Sequence, residues 1–293
     1  MVKKGSSVKD AWRLAGKRLL GGGIGAGDFE AEVMLRFLLG WDRTKFFLGM
    51  EELLPMEVEK QLNKWVESRL QGIPLQHLTG EQEFFGRPFA VNPHVLIPRP
   101  ETEGLVETVL QEAENLFGDA PLQVADVGTG SGILAITLAV ERPHWQITAI
   151  DQSPQALVVA RENAKRHGVE KRIDFRQGEW LNPMLEDQKK LDVLVSNPPY
   201  IPTSVVEQLD REVRDYEPRL ALDGGEDGLT PYRILTEQIS LILKRPGLVA
   251  FEIGWDQGVQ VASMSRSLPG ANEPKIIPDL AGRDRVVAVS IQS

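Results

Sequence analysis

Cysteine is missing altogether from this 293-residue chain. That absence removes disulfides, thiolate metal sites and a cysteine nucleophile together. Histidine is scarce, with four scattered residues, so no metal cluster is expected. No apolar stretch reaches the roughly 18 residues that a membrane span needs, and none is expected to cross a bilayer. The N-terminal MVKKGSSVKDAWRL carries lysines without an apolar core of signal-peptide length, so a cytoplasmic location is expected. A basic excess is lacking too: the net charge is −9, and it is uneven. Residues 1–80 hold 12 Lys/Arg against 10 Asp/Glu, whereas the remainder holds 21 against 32. Nucleic-acid binders usually carry a basic stripe, because phosphate neutralisation dominates their affinity. No stable nucleic-acid or membrane partner is expected.

What is present is a globular composition, 42% apolar and 26% charged, with room for two domains. In residues 1–80, DFEAEVMLRFLLG and MEVEKQLNKWVESRL place apolar residues at three- and four-residue steps, with Pro55 between them. This predicts a helical N-terminal domain. The glycine-rich GGGIGAG (Gly21 to Gly27) has no Lys-Ser/Thr after it and no strand before it. A flexible connection between helices is therefore expected, not a phosphate loop. Lys9, Arg13 and Lys17 fall at four-residue steps, as on a solvated helix face. In 81–98, EFFGRPFAVNPH predicts a hairpin joining the two domains. Residues 99–293 form the expected catalytic domain, opening with a helix near Pro100.

From residue 122, LQVADV, QITAI, RIDFRQ, LDVLVS and LVAFEI are short β-rich runs, the first four separated by helix-forming stretches. Alternation of this kind predicts a parallel sheet covered on both faces. The runs around EPKII and RVVAVSI are separated only by PDLAGRD. So short a link suits an antiparallel terminal pair.

The first of these strands runs into DVGTGSGILAI, with Gly128, Gly130 and Gly132 at alternate positions before a helix. Glycines at such a turn let the backbone approach a ligand, and the helix N-terminus favours an acidic group. A dinucleotide fingerprint would need a further glycine at position 133, which is Ile133. The spacing instead resembles motif I of the class I methyltransferases that bind S-adenosylmethionine. Asp151 ends the second strand, where a carboxylate can accept ribose hydroxyls, although it could also cap the next helix in competition with Ser153. Past the third strand, Trp180 stands where this superfamily often contacts the adenine; a core tryptophan is the other reading.

The fourth strand ends on Asn197-Pro198-Pro199-Tyr200. In an open parallel sheet, ligands sit outside the carboxyl ends of the strands, so the position suits chemistry. A planar amide nitrogen is a poor nucleophile, because its lone pair is delocalised. Two fixed acceptors, the Asn197 side-chain oxygen and the Pro198 carbonyl, could hold both of its hydrogens. Pro198 and Pro199 would stiffen the turn, and Tyr200 could pack on the flat face of the substrate group. Placement alone can supply ~7–11 kcal/mol of a barrier.

NPPY in this position resembles amino-methyltransferases acting on glutamine, adenine or guanine nitrogens. GIPLQHLTGEQEFFGRPFAV, VLIPRPETE, YEPRLAL-x-GGEDGL and FEIGWDQG narrow the likeness. Together they resemble the HemK/PrmC family, over roughly residues 72–293. These enzymes methylate the side-chain nitrogen (N5) of the glutamine in the Gly-Gly-Gln loop of peptide-chain release factors. The resemblance implies a class I methyltransferase fold: a Rossmann-like seven-stranded sheet with an antiparallel C-terminal hairpin, plus a small helical N-terminal domain that helps dock the release factor. It also implies a monomer using S-adenosylmethionine and no metal. Gly128, Thr129, Gly130, Ser131, Gly132, Asp151, Trp180 and Asn197 would contact the cofactor. Asn197, Pro198, Pro199 and Tyr200 would form the glutamine site, with Asn197, Pro198 and Tyr200 acting in the transfer. Arg99, Glu101, Thr102 and Glu103 would lie near the pocket, but an ordinary helix start also accounts for them and no role follows. A ribosomal-protein glutamine methyltransferase shares most of these motifs, and an adenine or guanine nucleic-acid methyltransferase shares the tetrapeptide. A non-catalytic binder would be expected to lose the glycine loop or Asn197, and both are intact.

Overall fold

The computed structural model describes residues 5–292, and the lysine-bearing start of the N-terminal stretch, residues 1–4, lies outside it. The chain forms two compact units. One comprises the described residues up to Gly80 together with Arg211–Tyr216; the other runs from Glu81 onward without that segment.

The first unit is helical: Val8–Gly21, Gly27–Leu39, Arg43–Leu48, Met56–Leu70 and Leu75–Thr79. Ser7 and Asp42 cap their helices by accepting from the amides of Asp10 and Lys45, at 3.1 and 2.7 Å. The apolar stripes meet in a core that includes Leu19, Met34, Leu35, Phe46, Leu62 and Val66. Within the glycine-rich connection, Gly21, Gly23 and Gly25 have nothing within 4 Å of an added Cβ, while Gly27 at its end is crowded. A Cβ on Gly27 would lie 2.8 Å from the Leu20 amide nitrogen, and one on Gly16 would lie 2.1 Å from Asp28 Oδ1. Gly16 in the first helix and Gly27 at the start of the second permit their close approach. Arg69 anchors the Arg211–Tyr216 segment, pairing with Glu30 at 2.7 Å and Glu212 at 2.6 Å.

The second unit begins with a hairpin of β1 (Glu81–Phe84) and β2 (Arg87–Ala90). Its turn residues, Phe85 and Gly86, both have positive φ, as a two-residue hairpin loop requires. Seven further strands follow: β3 (Gln123–Val127), β4 (Gln146–Asp151), β5 (Ile173–Gln177), β6 (Leu191–Ser196), β7 (Leu243–Glu252), β8 (Lys275–Pro278) and β9 (Asp284–Ile291). They make one sheet in the order β5-β4-β3-β6-β7-β9-β8. The first five are parallel, and β9 pairs antiparallel with both β7 and β8.

Alternate residues of each strand face opposite sides. Val124, Val195 and Leu248 join a cluster with Leu105, Leu134 and Ala160 of the helices Glu103–Phe117, Ile133–Glu141 and Pro154–Arg166. Ala125, Leu194 and Val249 join another with Leu235 and Val261 of the helices Thr230–Ile242 and Gly258–Arg266. The strand order reverses direction between β3 and β6. Ligands of open α/β sheets bind at such a switch point, outside the carboxyl ends of the strands. Ser196 Oγ donates to the Val127 carbonyl at 2.6 Å there and pins the two strand ends together.

Candidate active site

Beyond β3 the chain turns through three glycines with positive φ: Gly128 at 75°, Gly130 at 56° and Gly132 at 86°. The amides of Gly128 and Thr129 donate to the Ile150 carbonyl at 2.9 and 3.0 Å, tying the loop to β4. From within β3, the buried Asp126 accepts from the Thr129 hydroxyl at 2.6 Å and the Ala135 amide at 3.0 Å. One carboxylate thus holds both the loop and the first turn of the following helix. Burial pushes the Asp126 carboxyl up to about 7, against the pull of those two hydrogen bonds, and its Oδ1 has no partner.

Asp151, at the end of β4, accepts from the Gly130 amide and from the Ser153 amide, each at 2.9 Å. Ser153 caps the helix Pro154–Arg166 by accepting from the Ala156 amide, which leaves Asp151 to the loop. Burial raises the Asp151 carboxyl, and the two amide bonds oppose the shift. Asn163, fully buried on that helix, donates to the carbonyls of Ser131 and Ala90, stitching the loop to the hairpin.

These elements border a cavity of about 1000 Å³, counting space open to solvent. Gly128, Thr129, Gly130, Ser131, Asp151, Trp180, Asn197 and Pro199 all line it. Gly132, Pro198 and Tyr200 are not among its lining residues. A Cβ on Gly132 would meet Ile136 at 2.7 Å and Ala160 at 3.2 Å, so this glycine permits close packing of helices. Trp180 borders the cavity and also packs against the second core cluster.

The tetrapeptide leaves β6 directly opposite the glycine loop: a Cβ on Gly128 would lie 3.9 Å from the Asn197 carbonyl oxygen. Asn197 Nδ2 donates to Thr102 Oγ1 at 3.3 Å. Among the described residues no donor reaches Asn197 Oδ1 or the Pro198 carbonyl, so both acceptors of the pair are uncommitted. The following residues are clasped by the Gly-Gly-Glu-Asp-Gly turn. A Cβ on Gly224 would lie 2.7 Å from the Pro199 oxygen, and one on Gly228 would lie 2.3 Å from the Tyr200 oxygen. The turn therefore requires glycine for backbone-to-backbone approach. Gln257 Nε2 also donates to the Tyr200 carbonyl, at 3.0 Å.

Of the residues to which composition assigned no role, Arg99, Thr102 and Glu103 have definite places. Arg99 pairs with the buried Glu217 at 2.5 Å, and Glu217 also accepts from the Ile97 amide. Glu103 accepts from the Phe85 amide at 2.7 Å and steadies the positive-φ turn of the hairpin. Thr102 is fully buried against Asn197. Behind Thr102 and Tyr200 sits Glu252, the last residue of β7 and 1% exposed. Burial pushes its carboxyl up to about 7, while the Thr102 hydroxyl, the Arg285 cation and the Tyr200 phenol pull it down. Burial and the Glu252 charge raise the Tyr200 phenol, which therefore stays protonated. The signal that could have flagged Glu252 is a lone carboxylate ending an apolar strand, the same signal that picked out Asp151.

Residues 10–80 match the family described as PrmC N-terminal domain, and residues 103–212 match the methyltransferase small domain. The release factor glutamine methyltransferase of Moorella thermoacetica is 43% identical over 279 residues, spanning 95% of this chain and 96% of the relative. The one from Bacillus anthracis is 41% identical over 269 residues, spanning 92% and 94%. The chain belongs to the release factor glutamine methyltransferase family. Among solved structures, the hMettl16 catalytic domain superposes with a TM-score of 0.54 at 15% identity, over 78% of this chain and 81% of that one. That likeness is one of fold. It agrees with the class I methyltransferase architecture of the family, whose sheet carries the antiparallel C-terminal hairpin seen here. Among the described residues no cluster of ligating side chains could hold a metal ion, and no helix is long and apolar enough to cross a membrane.

Proposed function

We propose that this enzyme transfers a methyl group from S-adenosylmethionine to the side-chain amide nitrogen (N5) of the glutamine in the Gly-Gly-Gln loop of peptide-chain release factors. It works as a cytoplasmic monomer on a protein substrate, with no stable nucleic-acid or membrane partner. The helical unit of residues 1–80 contributes to docking the release factor, residues 81–98 join it to the remainder, and residues 99–293 carry the chemistry.

The cavity fits the donor. Gly130 has open space where a side chain would stand, so the loop backbone can approach a ligand closely. The N-terminus of the helix Ile133–Glu141 follows directly and favours a carboxylate. Asp151 lines the same cavity at the end of β4, suited to ribose hydroxyls, and Trp180 offers a flat apolar face for a base. When bound, S-adenosylmethionine supplies a methyl group already activated on a positively charged sulfur.

What remains for the protein is to hold the acceptor. Asn197 Oδ1 and the Pro198 carbonyl accept the two N–H groups of the glutamine amide. They fix the nitrogen and favour the tetrahedral shape it adopts on attack. Pro198 is buried and Pro199 is clasped by the glycine turn, so the acceptors are preorganised. The observation that carries this reading is Asn197 itself: it stands across the switch point from the cofactor loop, its amide nitrogen engaged by Thr102 and its oxygen uncommitted. The test is incubation with labelled donor and purified release factor, followed by mass mapping. Label is expected on the glutamine of the Gly-Gly-Gln loop; label on a ribosomal protein or on RNA would overturn the assignment.

A further inference from the structure

The second unit carries another opening, and its chemistry differs from that of the cofactor cavity. A groove of about 1270 Å³, counting space open to solvent, is bordered by the helix Glu103–Phe117 and by the turn that joins β8 to β9. Its lining carboxylates are Glu101, Glu103, Glu107, Glu112 and Asp279, and its lining cation is Lys275. Lys275 is committed to Glu112, donating to both of its oxygens at 2.8 Å. Glu103 accepts from the Phe85 amide, and Asp279 accepts from the Ala281 and Arg283 amides and pairs with Arg285. Glu101 and Glu107 are exposed, and no hydrogen bond or ion pair among the described residues engages either. Carboxylates gathered along a concave wall focus a negative field into it, so the groove attracts positive charge.

The structure narrows what that charge can belong to. Among the described residues no group of ligating side chains could hold a metal ion, so the groove is not a cation site. Its sign repels the phosphates of a nucleic acid. The strand beside it, β8, is the edge of the sheet, but it has four residues, carries Lys275 and ends on Pro278. Edges blunted in this way resist pairing with a further strand, which disfavours a second copy added along the sheet. A basic polypeptide segment fits instead. Lysine and arginine pair a charged head with an apolar stem, and the groove offers the carboxylates together with Ile277, Pro278 and a fully exposed Leu280.

Position identifies the segment. Thr102, between Glu101 and Glu103, places its Oγ1 3.3 Å from Asn197 Nδ2. Because β9 is antiparallel to both β7 and β8, the turn after β8 emerges at the carboxyl end of the sheet, as the tetrapeptide does. A chain that holds its glutamine at Asn197 therefore brings its neighbouring residues, at roughly 3.3–3.6 Å each when extended, past Glu101. We propose that this groove is a second docking surface for the protein substrate, and that it takes a basic segment of the release factor close in space to the target glutamine. The inference rests on the glutamine-methylating reading and adds to it an electrostatic contact on the catalytic unit. Glu101 and Glu107 steer and hold the substrate, and they take no part in the transfer.

The test measures kcat, KM for purified release factor, and donor affinity, from about 0.05 to 0.3 M salt, a range over which screening shortens. It compares wild type with Glu101→Gln/Glu107→Gln, with Glu107→Lys, and with Glu162→Gln, an exposed carboxylate that lines neither opening. The double variant is expected to raise KM roughly 10-fold at low salt and to flatten its rise with salt, with kcat and donor affinity within about twofold of wild type. Glu107→Lys is expected to raise KM by itself, and Glu162→Gln to leave it unchanged. Should the double variant fail to fold, Glu107→Lys decides alone. An unchanged KM and salt dependence, or an equal effect from Glu162→Gln, overturns the docking role. So does a loss confined to kcat, which would put these carboxylates in the chemistry, and so does wild-type self-association that the double variant abolishes in sedimentation, which would make a second copy the occupant. Wild type that leaves release factor unmethylated overturns the functional reading itself.

Discussion

The two strand ends that face each other across the switch point are built by opposite means. After β3 the chain is made pliable, with three positive-φ glycines, and is then pinned by backbone hydrogen bonds to Ile150, Asp126 and Asp151. After β6 it is made stiff, with two prolines, and presents side-chain and carbonyl acceptors. Each end is backed by a buried carboxyl raised to about 7, Asp126 in β3 and Glu252 in β7. Asp126 engages a backbone amide and the loop's own threonine, so it fixes the path of the chain. Glu252 is anchored less: its Oε2 has no partner. The difference predicts that damage to the first end appears in stability and donor affinity, and damage to the second in turnover.

The sharpest way to break that division is at Asn197. Asn197→Ala removes an acceptor that no described residue uses within the protein, and the Gly128 to Ser131 loop keeps all of its own hydrogen bonds. Methyl transfer is expected to fall by roughly 10²–10³-fold, as when one preorganised group is removed from a site of developing charge. Donor affinity measured by calorimetry is expected to stay within a few-fold. Unchanged turnover would remove Asn197 from the mechanism, and a comparable loss of affinity would mean that the two ends are not separate.

A smaller effect distinguishes the buried carboxyls by pH. A carboxyl raised in the folded state holds its proton when the unfolded chain has released its own. Stability therefore declines as pH rises from the ordinary aspartate value of 3.8 toward the folded value of about 7, and the loss is complete above it. Asp126→Asn keeps an acceptor for Thr129 and Ala135 but cannot ionise. Relative to this variant, wild type is expected to lose stability between pH 5 and 8 by urea denaturation. A constant or opposite difference would mean that Asp126 is ionised throughout.

The sequence made much of this legible because strong local signals coincided with the global plan. The alternating β-rich runs, the Gly-x-Gly-x-Gly loop and the tetrapeptide each sit where composition placed them, and Asp151 borders the cavity beside Trp180. What stayed hidden depends on contacts between residues far apart in the chain. Thr102 meets Asn197 across 95 positions, and Asn163 meets Ala90 across 73. No pattern of spacing encodes such pairs. Nor does composition show that Gly16 and Gly27 serve close packing of the first two helices. Tyr200, read as a face for the substrate, packs against the second core cluster and does not line the cavity.

The finest distinction lies within the glycine loop, where three similar residues do different things. Gly130 lines the cavity with nothing within 4 Å of an added Cβ, whereas at Gly132 the same atom would meet Ile136 at 2.7 Å and Ala160 at 3.2 Å. Both positions have positive φ, so alanine at either carries the left-handed strain of about 1–2 kcal/mol. Only Gly132→Ala adds the overpacking term, typically about 1–3 kcal/mol, because Ala160 belongs to a filled core. Gly132→Ala is therefore expected to lower the urea midpoint more than Gly130→Ala does. Gly130→Ala, which places a methyl group in the cavity, is expected to weaken donor binding more than its stability loss explains. If the ranking of the two variants came out reversed in both measurements, Gly132 would be a cofactor contact after all, and the loop would be shaped by its ligand and not by the helices behind it.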